Sequence, residues 1–262
     1  MKSFKTDLLN VQIHQTRTEM GNAAAADIKA CLLALMREKE LVNVIFAAAP
    51  SQNEVLAALV ADKEIPWERV RAFHMDEYIG LAPGAPQAFG NFLREHIFGL
   101  VNMASVHYID ATAPDADAEC ARYTEILKQY PVDVVVMGIG ENGHIAFNDP
   151  PVADFCDPQL VKPVALDEVC RTQQVHDGCF ATIDDVPKTA ITLTVPALLA
   201  GKHLFCIVPA ATKAEAVRRT LQGEIGEACP ATALRRHPSA CLYLDADSSA
   251  LFVRSGYDQD QE

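Results

Sequence analysis

The segment Gly138-Ile-Gly-Glu-Asn-Gly-His144, followed at once by Asn148-Asp149-Pro150, places an imidazole among an amide and two acids directly after an apolar run, Val132 to Met137. Glycines at 138, 140 and 143 permit tight turns and let a ligand lie close to the backbone. Glu141, Asn142 and Asp149 are side chains of the kind that select an imidazole tautomer and hold the ring, so His144 is a candidate for proton transfer. Asp76 opens an acidic pair after a second apolar run, in Phe73-His-Met-Asp-Glu-Tyr78. Such a pair is either a solvated turn or a carboxylate aimed into a cleft as a base. Ser51 follows Ala47-Ala-Ala-Pro50 and begins Ser51-Gln-Asn-Glu54, the pattern of a capping box, so its hydroxyl serves either a helix start or an anion. Lys213 sits in Thr212-Lys-Ala-Glu215, a second such pattern. A cation in a first helical turn opposes the helix dipole, and a bound anion would offset that.

These residues need a frame. The apolar spacing of Met20, Ala24, Ile28, Cys31, Leu32 and Leu35 predicts a helix over 16–40. Short apolar runs at 41–48, 69–75, 132–137, 189–195, 203–209 and 240–245 predict strands, with helices expected after Pro50, at 87–99, at 115–129 and from 212 to about 222. Strands of near-continuous apolar residues alternating with amphipathic helices imply an α/β fold, a three-layer Rossmann-like arrangement with a mainly parallel sheet. One domain over 1–262 is the simplest organisation, with 149–187 an irregular excursion expected to cover something, as a lid would. In open parallel sheets ligands gather beyond the carboxyl ends of the strands. The loops after 41–48, 69–75 and 132–137 are where the unusual residues fall.

Composition narrows the function classes. The chain of 262 residues is half hydrophobic and carries a formal net charge of −13 without a basic cluster beyond short pairs, which argues against nucleic acid or an anionic membrane as partner. An anionic ligand would need a local cationic pocket. Eight scattered cysteines without a C-x-x-C pair are expected to be reduced, packed thiols rather than a disulfide or metal framework. The first residues lack a signal-type apolar core and no run reaches membrane-spanning length, so the expected location is cytoplasmic. Homo-oligomerisation is left open.

Taken together, MDEYIGL and GIGENGHIAFNDP resemble the glucosamine-6-phosphate deaminase family, whose fold also houses 6-phosphogluconolactonases. The similarity extends through DADAECARYTEILK, VPKTAITLTVPALL and RRHPSACLYLD, and GHIAFN favours the deaminase branch. The resemblance implies ring opening of an amino-sugar phosphate, aldose–ketose isomerisation and loss of ammonia, with a sugar phosphate as small-molecule partner and neither metal nor organic cofactor. It places Asp76 as the base between C2 and C1, His144 as the ring-opening acid/base, and Asp149, where the family carries a glutamate, as the partner of His144. Lys213 falls on the phosphate lysine, and Ser51 and Arg171 fall near phosphate positions. Lys162 matches a lysine of an allosteric phosphate site in some members, whose companions are here Val152 and Leu160. This chain departs from the pattern at Asn142, where the family has aspartate, and in its Ala/Pro phosphate turn. Glu141 is the neighbour that would have to replace the missing charge. Those departures keep two alternatives in view: a 6-phosphogluconolactonase-type lactone hydrolase, and a sugar-phosphate-binding sensor that has lost turnover.

Overall fold

The computed structural model describes residues 1–82 and 84–254. Along the chain run β1 (Lys2–Thr6), β2 (Leu9–Ile13), β3 (Val42–Phe46), β4 (Val70–His74), β5 (Asp76–Tyr78), β6 (Ser105–His107), β7 (Val134–Met137), β8 (Val161–Ala165), β9 (Thr189–Leu193), β10 (His203–Val208) and β11 (Ala240–Leu244). The helices are α1 (Arg17–Glu38), α2 (Asn53–Ala61), α3 (Phe89–Leu93), α4 (Ala116–Gln129), α5 (Glu168–His176), α6 (Val195–Leu199), α7 (Ala214–Gln222) and α8 (Ala250–Arg254).

The main sheet has eight strands in the order β1-β2-β11-β10-β7-β3-β4-β6, parallel except for the β1–β2 hairpin. Its central strands read as unbroken apolar runs because both faces are covered. In β7, Val135 and Met137 pack into one apolar cluster while Val134 and Val136 pack into the other. The chain lays down β3, β4 and β6 in one direction, then returns to build β7, β10 and β11 in the other. The reversal falls between β3 and β7, which makes a crevice at their carboxyl ends.

Several details differ from the sequence reading. The run at 189–195 does not join the main sheet; as β9 it pairs antiparallel with β5 and β8 in a separate three-stranded sheet. The 149–187 excursion is not irregular, since it contains β8 and α5. The β1–β2 hairpin and β6 escape prediction because they end the sheet: β1 is largely exposed and β6 has only three residues, none fully buried. Neither capping box forms. A 3₁₀ turn, Pro50–Gln52 or Ala211–Lys213, precedes each helix and moves its start downstream of the serine or threonine. The glutamates of the two boxes pair instead with Arg17 and Arg218, both at 2.6 Å. The cysteines are free thiols, as their spacing implied. Among the described residues, no helix is long and apolar enough to cross a membrane.

Candidate active site

A cavity of about 380 Å³ opens at the β3/β7 crevice, within the range of small-molecule sites, roughly 300–1,000 Å³. Its wall brings together the three loops of interest: Ala47 to Ser51 after β3, Met75 and Asp76 after β4, and Gly138 to His144 after β7. Lys213 closes it from the turn after β10, and α5 supplies Gln173, Gln174 and, just beyond its end, Asp177. Phe89, Phe92 and Phe147 make the apolar side.

Strand alternation sorts the acidic pair. Asp76 and Glu77 face opposite ways on β5. Glu77 turns to the start of α3, where its carboxylate accepts the N–H groups of Tyr78 (2.9 Å), Phe89 (3.0 Å) and Gly90 (2.8 Å). Asp76 lines the cavity, and its carboxyl takes no hydrogen bond from the described residues. Burial, reinforced by the neighbouring Glu77 charge, pushes Asp76 well above the ordinary carboxylate range.

His144 is held from three sides. Its ring lies on the Cα of Gly140, where a Cβ would come within 2.1–2.3 Å of ring atoms, so only glycine fits. Its Nδ1 is 2.8 Å from Asn142 Oδ1 and 2.9 Å from Asp149 Oδ1, two acceptors that place the proton on Nδ1 and leave Nε2 with a lone pair. The Asn142 amide is fully used: Oδ1 also accepts the His144 backbone N–H (2.9 Å), and Nδ2 donates to Asp149 Oδ1 (2.9 Å). Burial alone would raise Asp149, but the hydrogen bond and charge of His144, with donors from Asn142 and Cys170, bring it below the ordinary value. It therefore stays anionic beside the imidazole. Asn142 thus orients the ring, and the negative charge comes from Asp149. Glu141 does not substitute: its carboxylate turns to His176, 3.2 Å away. Gly143, at φ +89°, makes the turn that returns the chain to His144.

The cationic end is built from a strained turn. Ala210 adopts φ +81°, a region alanine occupies at a cost of about 1–2 kcal/mol, and its N–H is held by the Asp245 carboxylate at 3.1 Å. This launches the Ala211–Lys213 turn and carries Lys213 to the cavity, where the side chain is 5% exposed and forms no ion pair with any described residue. Burial lowers its pKa, and the charges of Asp177 and Glu141 partly offset that. On the same wall, Ser51 Oγ accepts only from Gln52 Nε2 (3.0 Å), and the N–H groups of Ala48 and Ala49 donate to no described group. A free hydroxyl, unspent N–H groups and a buried ammonium are the groups that an anion site requires.

Arg171 is not part of the wall. Residues 170, 173, 174 and 177 share one face of α5 and its end, and 171 lies off it, its guanidinium donating to the Val186 carbonyl oxygen at 3.1 Å. Lys162 is engaged by Asp157 (2.6 Å) and the Val152 carbonyl oxygen (2.8 Å). Sequence reasoning missed Cys170, Gln173, Gln174 and Asp177, whose i, i+3, i+4, i+7 spacing was the available signal. Possible ligand atoms of His144, Asp149 and Cys170 lie within 4.8 Å of one another. The hydrogen bonds on Nδ1 hold the imidazole in the fixed orientation that a proton-transfer group needs.

Residues 15–157 match the family described as glucosamine-6-phosphate isomerases/6-phosphogluconolactonase. A glucosamine-6-phosphate deaminase of Listeria monocytogenes is 32% identical over 210 residues, covering 80% of this chain and 88% of its own. One from Lactobacillus delbrueckii subsp. bulgaricus is 31% identical over 84% of this chain and 92% of its own. Among solved structures, a monomeric glucosamine-6-phosphate deaminase superposes with TM-score 0.83 at 27% identity, covering 92% of this chain and 99% of its own. A 6-phosphogluconolactonase from Thermotoga maritima shares the fold at TM-score 0.73 and 19% identity, over 90% and 98% of the two chains.

Proposed function

Because the chain belongs to the glucosamine-6-phosphate isomerase/6-phosphogluconolactonase family, we propose that it is an amino-sugar phosphate isomerase and deaminase, converting glucosamine 6-phosphate or a close analogue to fructose 6-phosphate and ammonia. The observation that carries this reading is the presence of a desolvated carboxyl, Asp76, and an oriented imidazole, His144, on the wall of one cavity with a buried cation. His144 Nε2, its lone pair free, moves a proton between the anomeric hydroxyl and the ring oxygen, opening the pyranose. Asp149 stabilises the imidazolium that forms meanwhile. Asp76 then takes the C2 proton and returns it to C1, a task that favours a carboxylate whose basicity burial has raised. Water adds at the resulting C2 imine, and ammonia leaves. Lys213, the Ser51 hydroxyl and the free N–H groups after β3 hold the phosphoryl group, and α5, from the 149–187 segment, walls the reacting carbons from solvent.

The deaminase direction is supported by the two relatives of about a third identity, both named for that activity, whereas the lactonase structure shares the fold at 19%. The test is release of ammonia and fructose 6-phosphate from glucosamine 6-phosphate, with Asp76→Asn alongside. The expected result is turnover by the wild type and a loss of about 10²–10⁴ in the variant, the usual contribution of a positioned base. Turnover of 6-phosphogluconolactone alone establishes lactone hydrolysis instead. Binding without turnover of either, by both proteins, establishes a sensor.

A further inference from the structure

Helix α5 presents two adjacent amides to the cavity, and only one is accounted for. Gln173 is committed within the protein: Oε1 accepts the Glu141 N–H at 2.8 Å, and Nε2 donates to Asp177 Oδ2 at 3.2 Å. Gln174 is 6% exposed and lines the cavity, yet neither its Oε1 nor its Nε2 bonds to any described residue. Its amide atoms are also absent from the polar atoms sealed inside the protein, so they open onto the cavity. Its donor and acceptor are thus free to meet a ligand, which a leucine or methionine at this helix position could not do.

The position along α5 indicates which part of a ligand. Cys170, one turn before Gln174, has its Sγ within 4.8 Å of ligand atoms of His144 and Asp149. Asp177, three residues after, lines the cavity together with Lys213, whose charge it supports. Along α5, Gln174 therefore falls between a residue beside the His144–Asp149 pair and a residue on the Lys213 wall. Its two functional atoms also discriminate: an amide offers a donor and an acceptor together, which a hydroxyl satisfies reciprocally. A phosphoryl group presents only acceptors and would set its oxygens against Oε1. We propose that Gln174 binds a hydroxyl group of the sugar chain between the reacting carbons and the phosphate, and so selects a polyhydroxylated ligand independently of the phosphate cradle. This assignment rests on the sugar-phosphate reading of the cavity.

The test measures dissociation constants of wild type, Gln174→Met and Gln174→Ala for glucosamine 6-phosphate and for inorganic phosphate, with circular dichroism and melting curves to establish that each variant is folded. Methionine keeps the length and helix propensity of glutamine, so a folding failure in alanine leaves the comparison standing. The expected result is weakening of about tenfold for glucosamine 6-phosphate in both variants, equivalent to one hydrogen bond of about 1.4 kcal/mol, with inorganic phosphate changed less than twofold. Equal binding of the sugar phosphate by wild type and folded variants overturns the assignment, and so does parallel weakening of inorganic phosphate, which would make Gln174 a phosphate contact. A wild type that binds neither glucosamine 6-phosphate nor 6-phosphogluconate overturns the functional reading, and this assignment with it.

Discussion

Replacing Asn142 by aspartate restores a charge beside the imidazole, and the structure indicates what that does. In the wild type Nδ2 of Asn142 donates to Asp149 Oδ1 at 2.9 Å. In Asn142→Asp a second carboxylate oxygen occupies that place, and at 2.9 Å two unit charges in an effective dielectric of about 20 repel by roughly 6 kcal/mol. The cluster relieves this by binding one more proton, on the imidazole or between the carboxyls. That proton is held more tightly folded than unfolded, so the stability it supports is present at low pH and is lost as pH rises through the folded-state value. Asp149 in the wild type has the opposite sign: lowered when folded, it contributes above the ordinary carboxylate range and is lost only toward acid. The expected outcome is a stability gap between the proteins that widens as pH rises from 6.5 to 8.5, at up to about 1.4 kcal/mol per pH unit and so by up to roughly 2–3 kcal/mol across that range. Urea denaturation at pH 6.5, 7.5 and 8.5 measures it. A gap that stays constant across that range would refute the placement of Asn142 between His144 and Asp149.

Three further outcomes follow from the same geometry. Lys213→Met removes the one lysine on the cavity wall among the described residues, so KM for a sugar phosphate rises about 10- to 100-fold, the worth of a charged hydrogen bond, while Tm holds or increases because a buried unpaired ammonium is gone. Gly140→Ala drives a methyl group to within 2.1–2.3 Å of His144 ring atoms and lowers kcat, while binding of inorganic phosphate, which does not depend on the ring, is retained. The acid limb of the kcat/KM profile has its midpoint above the ordinary carboxylate range, since Asp76 must be ionised to act and its burial raises it. A midpoint at the value of an exposed aspartate would remove Asp76 from the role of base.

What the sequence disclosed and what it hid divide along a physical line. Apolar runs ending before Pro50, at Asp76 and at Gly138 marked the β3, β4 and β7 exits, because a buried strand and its loop differ sharply in composition. That located Asp76, His144 and Ser51 on one edge of the sheet. The capping boxes were misread because the pattern of a helix start does not distinguish an α-helical turn from the 3₁₀ turn that intervenes. Helix α5 stayed hidden for a different reason. Its buried positions are a thiol and two amides, Cys170, Gln173 and Gln174, and apolar periodicity cannot register a face buried for its polar atoms. Arg171, the residue that sequence reasoning chose from this helix, lies outside that face. A helix lining a site is the one most liable to be read on its wrong side.

The two adjacent carboxyls at 76 and 77 show how environment, and not residue type, sets which of them is open for proton transfer. Both are buried and both are raised. Glu77 has three N–H donors that partly reverse the effect of burial and commit its oxygens to the start of α3. Asp76 has no such donors, so its carboxylate is poorly solvated whenever it is charged, and the free energy that protein donors would have supplied remains available to a transferred proton. Protonating Glu77 would loosen a helix start; protonating Asp76 breaks nothing in the protein. One strand thus separates a carboxylate committed to the backbone from one left open to the cavity by a single residue, using only the alternation of side chains across a sheet and the backbone donors that lie on one face of it.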